Sequence, residues 1–338
     1  LIRVTIPDSV VIIECSAFYD CVKLFRIAIP GGVARVPYGA FSGCISLTDV
    51  TLIEGVKSID PFAFRSCLSL ATIVIPNSVN NIHDYAFYNS GLFSIAIPDS
   101  VIRIGARAFS LCDDLIRIVI GSGVDDIGDL AFDSAGLKSV YFNGNAPAVG
   151  ADVFGYYSKA TVYYREGTTG WGTTFAGRPT AVGCLLNITG NSCGRAYAKG
   201  SVVTSSVSSP VTDGGTRYVC TGWTMTGNLP LSGTATSFSM TLTNNATLTW
   251  RWSTNYYLTV VTPSNGTVDV SSGWKPAGSI MTITADPDPR YRMGYWLVNG
   301  AERNKGQLTL ALTSTAPLAV EIFFQKNVAM PWLNLLLE

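Results

Sequence analysis

The side chains able to carry out chemistry in this chain are few and far apart. Its only histidine is His83, followed by Asp84. Such a pair could orient a proton, but general-base work also needs a nucleophile held within about 3 Å, and no motif supplies one. The positions equivalent to His83 in the repeat described below are Glu14, Pro37, Asp60, Gly105, Gly128 and Gly150, which predicts an exposed turn. The eight cysteines include no Cys-x-x-Cys pair, so a zinc site built on thiolates is excluded. Asp113-Asp114, Asp125-Asp126 and Asp129 lack the spacing of a calcium loop, and Asp286 and Asp288 lie in a Pro-rich turn. Solvated turns are the better expectation for all of them. No phosphate-cradling glycine loop is present. The chain is therefore expected to be no enzyme and to carry neither cofactor nor metal.

Composition narrows the partners. The 23 basic and 23 acidic side chains cancel, and splitting them near residue 182 gives 13 against 16 and then 10 against 7. Neither part has a basic excess for phosphates, which argues against nucleic acid. Charged residues make up only 14% and hydrophobic ones 47%, with abundant Gly, Thr and Ser, an all-β and extracellular signature. No window reaches the ~18 apolar residues of a membrane span.

The elements that must position any site follow from an internal repeat. Ala-Phe recurs at Ala17-Phe18, Ala40-Phe41, Ala63-Phe64, Ala86-Phe87, Ala108-Phe109 and Ala131-Phe132, with Val153-Phe154 as a last copy, at spacings of 22 or 23 residues. In phase with it run Ile6-Pro7, Ile29-Pro30, Ile75-Pro76 and Ile97-Pro98, each preceded by a short alternating segment such as Leu24, Ile27 and Ile29. Alternation with period two marks a strand with one face in a core. A unit this short cannot bury its strand face and its Phe alone. Successive units must stack and pair their strands into a parallel sheet. Proline after the strand removes a ladder donor, and the Pro-Asp-Ser or Pro-Asn-Ser that follows is turn chemistry.

The pattern Ile-Pro-x-Ser-Val-x-x-Ile-x-x-x-Ala-Phe-x-x-Cys-x-x-Leu resembles the BspA-type leucine-rich repeat of bacterial surface proteins, over residues 1 to about 165. The resemblance implies a right-handed solenoid on a secreted or cell-surface protein, linked to adhesion or host interaction. Leu1 falls inside a strand with no cap before it, so earlier coils are expected upstream.

A longer period follows. Tyr218 and Trp223 recur as Tyr291 and Trp296, and Leu242, Leu248, Trp250 and Trp252 as Leu312, Leu318, Val320 and Ile322. The predicted organisation is a solenoid with cap and linker over 1–182, small antiparallel β-modules over 183–253 and 254–326, and an apolar tail over 327–338 in which Pro331 opens a short helix. The run from Gly266 through Trp274 to Trp296 resembles the InlB B-repeat, a β-grasp-like module, which implies a stalk. The recurring Tyr218, Trp223, Tyr291 and Trp296 suit a core. Tyr256, Trp274 and Trp171 are freer to stack on sugars.

Cys21, Cys44, Cys67 and Cys112 each follow the repeat Phe by three residues, a position filled by Ser90 and Ala135 in other coils. Buried free thiols are expected there, although neighbouring coils could reach disulfide spacing. Cys184, Cys193 and Cys220 allow at most one bond, with Cys193 to Cys220 open.

Partner binding is expected on the outward face of the long sheet. By the period-two rule Arg3, Arg26, Asp49, Thr72, Ser94, Arg117 and Ser139 form one outward row, with Thr5, Ala28, Thr51, Val74, Ala96, Val119 and Tyr141 beside it. Arg3, Arg26, Asp49, Val74, Arg117 and Tyr141 are the candidate binding residues. The expected protein is a monomeric surface or secreted binder of a protein or host-matrix ligand. A glycan-binding accessory module of a larger extracellular enzyme is the alternative.

Overall fold

A computed structural model describes residues 4–327 apart from 135 and 192. Arg3, Ala135 and the tail with Pro331 lie outside the described residues. The chain forms two compact units, one comprising Leu1–Val203, Met225–Leu231 and Ser239–Thr249, the other Thr204–Thr224, Ser232–Phe238 and Trp250–Glu338. Among the described residues every regular element is a strand.

The first unit is the stack of coils that the repeat demands. On its broad side Arg26–Ile29 lies parallel to Asp49–Leu52, and Ser94–Ile97, Arg117–Ile120, Ser139–Phe142 and Thr161–Arg165 form a continuous parallel ladder. The alternation of exposed and buried positions is plain in Arg26–Ile29, where Ile27 and Ile29 are buried and Arg26 and Ala28 exposed. The sequence predicts one unbroken sheet, yet the coil of Ile73 and Ile75 keeps a single bridge, Thr51 to Val74. A second, narrower parallel sheet of two-residue strands lines another side, from Arg35–Val36 through Ser58–Ile59, Asn81–Ile82, Arg103–Ile104 and Asp126–Ile127 to Ala148–Val149.

The Ala-Phe pair makes the corner between coils. Phe18, Phe41, Phe64, Phe87, Phe109 and Phe132 each donate their backbone N–H to the carbonyl of the Ala, or of Val153, one coil on. The residue before each small residue takes a left-handed conformation, from Ser16 at φ 56° through Phe62 and Tyr85 to Asp152 at φ 49°. Inside, the seven Phe rings stack in one column at centroid spacings of 5.2 to 5.9 Å. Each such contact adds about 0.5–1.5 kcal/mol beyond area burial.

Acidic side chains fasten one coil to the next. Glu54 accepts from Asn77 N, Asp84 from Ala106 N, Asp99 from Ser122 N and Asp129 from Ala151 N. The stack closes on Trp171, which lies flat on Tyr164 at 5.0 Å and against Phe142 and Phe175. Beyond it Arg178–Ile188 joins the broad sheet parallel to Thr161–Arg165, and Arg195–Ala198 folds back antiparallel on it.

The second unit packs around Trp296, whose indole N–H donates to the Gln307 carbonyl at 2.9 Å. Leu258, Ile283, Met293, Val320 and Ile322 surround it. Tyr291–Val298 runs antiparallel to Leu318–Lys326 with a bulge between Met293 and Tyr295, and Ile280–Pro287 runs antiparallel to Thr309–Thr313. Antiparallel pairing is not universal, since Leu258 to Val260 lies parallel to Leu318 to Val320. Trp223 and Trp296 are buried as expected, whereas Tyr218 is 42% exposed and not a core residue.

Candidate binding face of the solenoid

The outward rows of the broad sheet do not form one open face. In the second row Thr5, Ala28, Thr51 and Val74 are exposed, Ala96 is half-buried, and Val119 and Tyr141 are buried. The cause is a cover. Leu185 and Cys193 pack on Val119 and Tyr141, flanked by Ala96, Tyr163 and Ala196. Tyr141 donates its hydroxyl to Asn245 Oδ1 at 2.9 Å, and the same oxygen accepts Leu185 N at 2.8 Å. Burial pushes the Tyr141 hydroxyl above its ordinary value, an effect that Asn245 opposes. Tyr141 is thus corrected from a candidate binding residue to the anchor of a covering layer.

Arg117 lies at the margin of that layer. It is half-buried, with its guanidinium 5.3 Å from the centre of the Phe93 ring. Arg26, Asp49 and Val74 remain on the open stretch. Arg26 Nε lies 2.8 Å from Asp49 Oδ2 across neighbouring strands, and Val74 is 70% exposed. Phe25, half exposed, borders them. The open face therefore offers an apolar centre beside a solvated ion pair, which is weak in itself and easily exchanged for a partner's charges.

His83, Asp60, Asp84 and Asp126 are held in structural contacts. Asp60 Oδ1 accepts the Ser58 hydroxyl at 2.7 Å and lies 3.9 Å from His83 Nε2. The hydroxyl is thus given to the carboxylate and not to the imidazole, so no base–nucleophile pair forms there. Asp84 turns to Ala106 N, and Asp126 pairs with Arg103 at 3.1 Å. Residues 190–194 read Gly-Asn-Ser-Cys-Gly, a Gly-x-Ser-x-Gly spacing. They connect two antiparallel strands instead of a strand and a helix, which is not the setting of a nucleophile elbow. Ser192 lies outside the described residues.

All eight cysteines are free thiols. Cys44, Cys67 and Cys112 donate to the carbonyls of Phe18, Phe41 and Phe87 in the preceding coil. Burial pushes Cys44 up to about 12 and Cys112 up to about 11, and Cys67 is raised for the same reason. The Cys193–Cys220 bond left open by the sequence is not formed. Cys193 Sγ contacts the Ile95 carbonyl and Cys220 Sγ that of Gly222. Among the aromatics free for sugars, Trp171 belongs to the solenoid's closing cluster. Trp274 packs against Tyr257 with Arg217 4.7 Å from its centre. Nothing in the sequence pointed to Asn245, but the covered stretch had a signal: the outward row turns from Thr5 and Thr51 to Val119 and Tyr141, too apolar for water.

Residues 1–112 and 34–161 match the BspA type leucine rich repeat region, in six copies. Among solved structures, the leucine rich repeat protein of T. pallidum is 34% identical, covering 46% of this chain and 77% of that one at a TM-score of 0.43. A leucine-rich repeat protein from Bacteroides ovatus is 21% identical, covering 48% of this chain and 63% of its own, with a TM-score of 0.33. A leucine rich cell surface protein from Faecalibacterium prausnitzii is 27% identical, with coverage of 48% and 60% and a TM-score of 0.32. The chain thus spans less than two thirds of the latter two. A search of curated proteins finds no match.

Proposed function

Because the chain belongs to the BspA-type leucine-rich repeat family through residues 1–161, we propose that it is a bacterial surface or secreted interaction protein that adheres to a protein or host-matrix ligand. The binding face is the open stretch of the broad sheet around Arg26, Asp49 and Val74. One observation carries this reading: the outward row is exposed as far as Val74, itself 70% exposed, half-buried at Ala96 and covered from Val119 onward. Solenoids use such broad faces for recognition, and interface centres favour arginine and aromatic anchors within an apolar patch. The segments 183–253 and 254–326 are read as β-modules of InlB B-repeat type, the first lending Leu185, Cys193 and Asn245 to the cover of the broad sheet, and the chain acts as an extracellular monomer without catalytic activity.

The test is a screen of immobilised matrix and receptor proteins, followed by affinity measurement for wild type, the pair Arg26→Ala with Val74→Ala, and the control Arg103→Ala on the narrow sheet. The pair should lose more than about 1.4 kcal/mol, a tenfold change, with the control unchanged. Equal affinity in all three would remove the site from the open face.

A further inference from the structure

A second candidate site lies within the first unit, on the far side of the cover from the open face. Arg165 ends the strand Thr161–Arg165 and Glu166 follows it, Gly183 and Cys184 belong to Arg178–Ile188, and Lys199 follows Arg195–Ala198. Together with Thr243, Asn244 and Asn245 they line a cleft of about 360 Å³. That volume is at the lower end of the roughly 300–1,000 Å³ of small-ligand sites.

Its walls are fixed by contacts that do not depend on a ligand. Lys199 N donates to the Val182 carbonyl and Gly200 N to the Leu242 carbonyl, which ties both walls together. Asn245 is oriented by Tyr141 and Leu185 through its oxygen, leaving its amide NH2 as a donor. Thr243 is held by donating N–H and hydroxyl to Asn228 Oδ1. Gly183 is fixed by packing, because a Cβ there would come within 2.7 Å of Tyr163 Cβ on the neighbouring strand.

The lining is mainly polar. Lys199 Nζ meets Glu166 Oε2 at 2.6 Å, so the one carboxylate of the lining is already neutralised. Arg165 makes no ion pair with any described residue. A guanidinium fork next to this pair favours a planar carboxylate, which it can hold through two parallel hydrogen bonds. Two amides and a hydroxyl are suited to neighbouring hydroxyl groups, and no large apolar side chain is available for an aliphatic or aromatic ligand.

We infer that this cleft binds a sugar acid, with Arg165 on its carboxylate and Thr243, Asn244 and Asn245 on its hydroxyls. This inference does not depend on the role given to the open sheet face.

The experiment is calorimetric titration and saturation-transfer NMR of the full chain with glucuronate, with glucose as the neutral match and with an oligosaccharide ending in glucuronate. Glucuronate should bind saturably and glucose at least tenfold more weakly. Arg165→Gln should lower glucuronate affinity at least tenfold, whereas Glu166→Gln should raise it by freeing the Lys199 ammonium for the ligand's carboxylate. A merely structural role would not produce these opposite signs. All the substituted side chains are exposed, and thermal melts confirm folding. If the oligosaccharide binds with the same Arg165 dependence, the natural source is a glycan end. If only the free acid binds, the source is a soluble metabolite. Equal binding of glucose and glucuronate, no saturable binding of either, or indifference to both substitutions would overturn the inference.

Discussion

Tyr141 and Asn245 decide whether the later part of the broad sheet is a surface or an interior, and their coupling can be measured. In Tyr141→Phe the ring stays and one hydrogen bond of 2.9 Å is lost, while Asn245 Oδ1 keeps Leu185 N as its donor. No buried acceptor is orphaned, so the cost should be about 0.5–1.5 kcal/mol. Asn245→Ala is more severe because it strips the partner from both the Tyr141 hydroxyl and the Leu185 N–H, at about 1–3 kcal/mol for each buried group. Asn245 borders the open cleft and water reaches its side, so the sum belongs near the lower limit, about 2 kcal/mol. In the double variant one orphan disappears, and the combined loss should fall short of the sum by about 1 kcal/mol. Urea denaturation of the four proteins gives these numbers, and amide exchange at Leu185 reports locally. Strict additivity, or a Tyr141→Phe variant as stable as wild type, would refute the view that this tyrosine anchors the cover.

Cys44, Cys67 and Cys112 should resist thiol reagents in the native state and react after unfolding, whereas Cys21, expected buried but only half-buried at the first described corner, should label faster; rapid native labelling of Cys44 or Cys67 would contradict their burial. Cys44 is raised from 9.0 to about 12 in the folded state, so it contributes stability in full below pH 9 that is lost as pH rises toward 12. Cys44→Ala should therefore lessen the alkaline fall in stability seen by pH-dependent denaturation. Phe87 stacks on two rings and Phe18 on one. Phe87→Ala should cost about 3–5 kcal/mol and Phe18→Ala clearly less, as read by urea midpoints.

The solenoid was legible because its determinants are local and repeated. Ile27, Phe41 and Cys44 occupy positions whose equivalents recur every coil, and period and polarity alone place them inside. The site was only half legible. Alternation correctly assigns Tyr141 to the outward side of its strand, but outward is not exposed when residues some hundred positions later, such as Asn245, return to cover it. That contact rests on no periodicity, and only the apolar character of Val119 and Tyr141 hinted at it. The narrow sheet escaped notice for another reason: two-residue strands such as Arg35–Val36 are too short to show alternation.

The corner bonds between coils have a consequence for how such a chain can change its length. Every corner offers the same backbone donor at Phe and the same backbone acceptor at Ala, and Phe18 to Phe154 form one file. Because the bonds use the main chain, a corner does not distinguish its native neighbour from any other coil. Excision of a whole period would bring Phe18 against the corner of Phe64 with donor, acceptor and ring matched. Removal of half a period would set a strand against a corner and leave both unpaired. Gene recombination between repeats is therefore tolerated only in whole coils, and the solenoid can be lengthened or shortened in steps of about five ångströms without redesign of its interior.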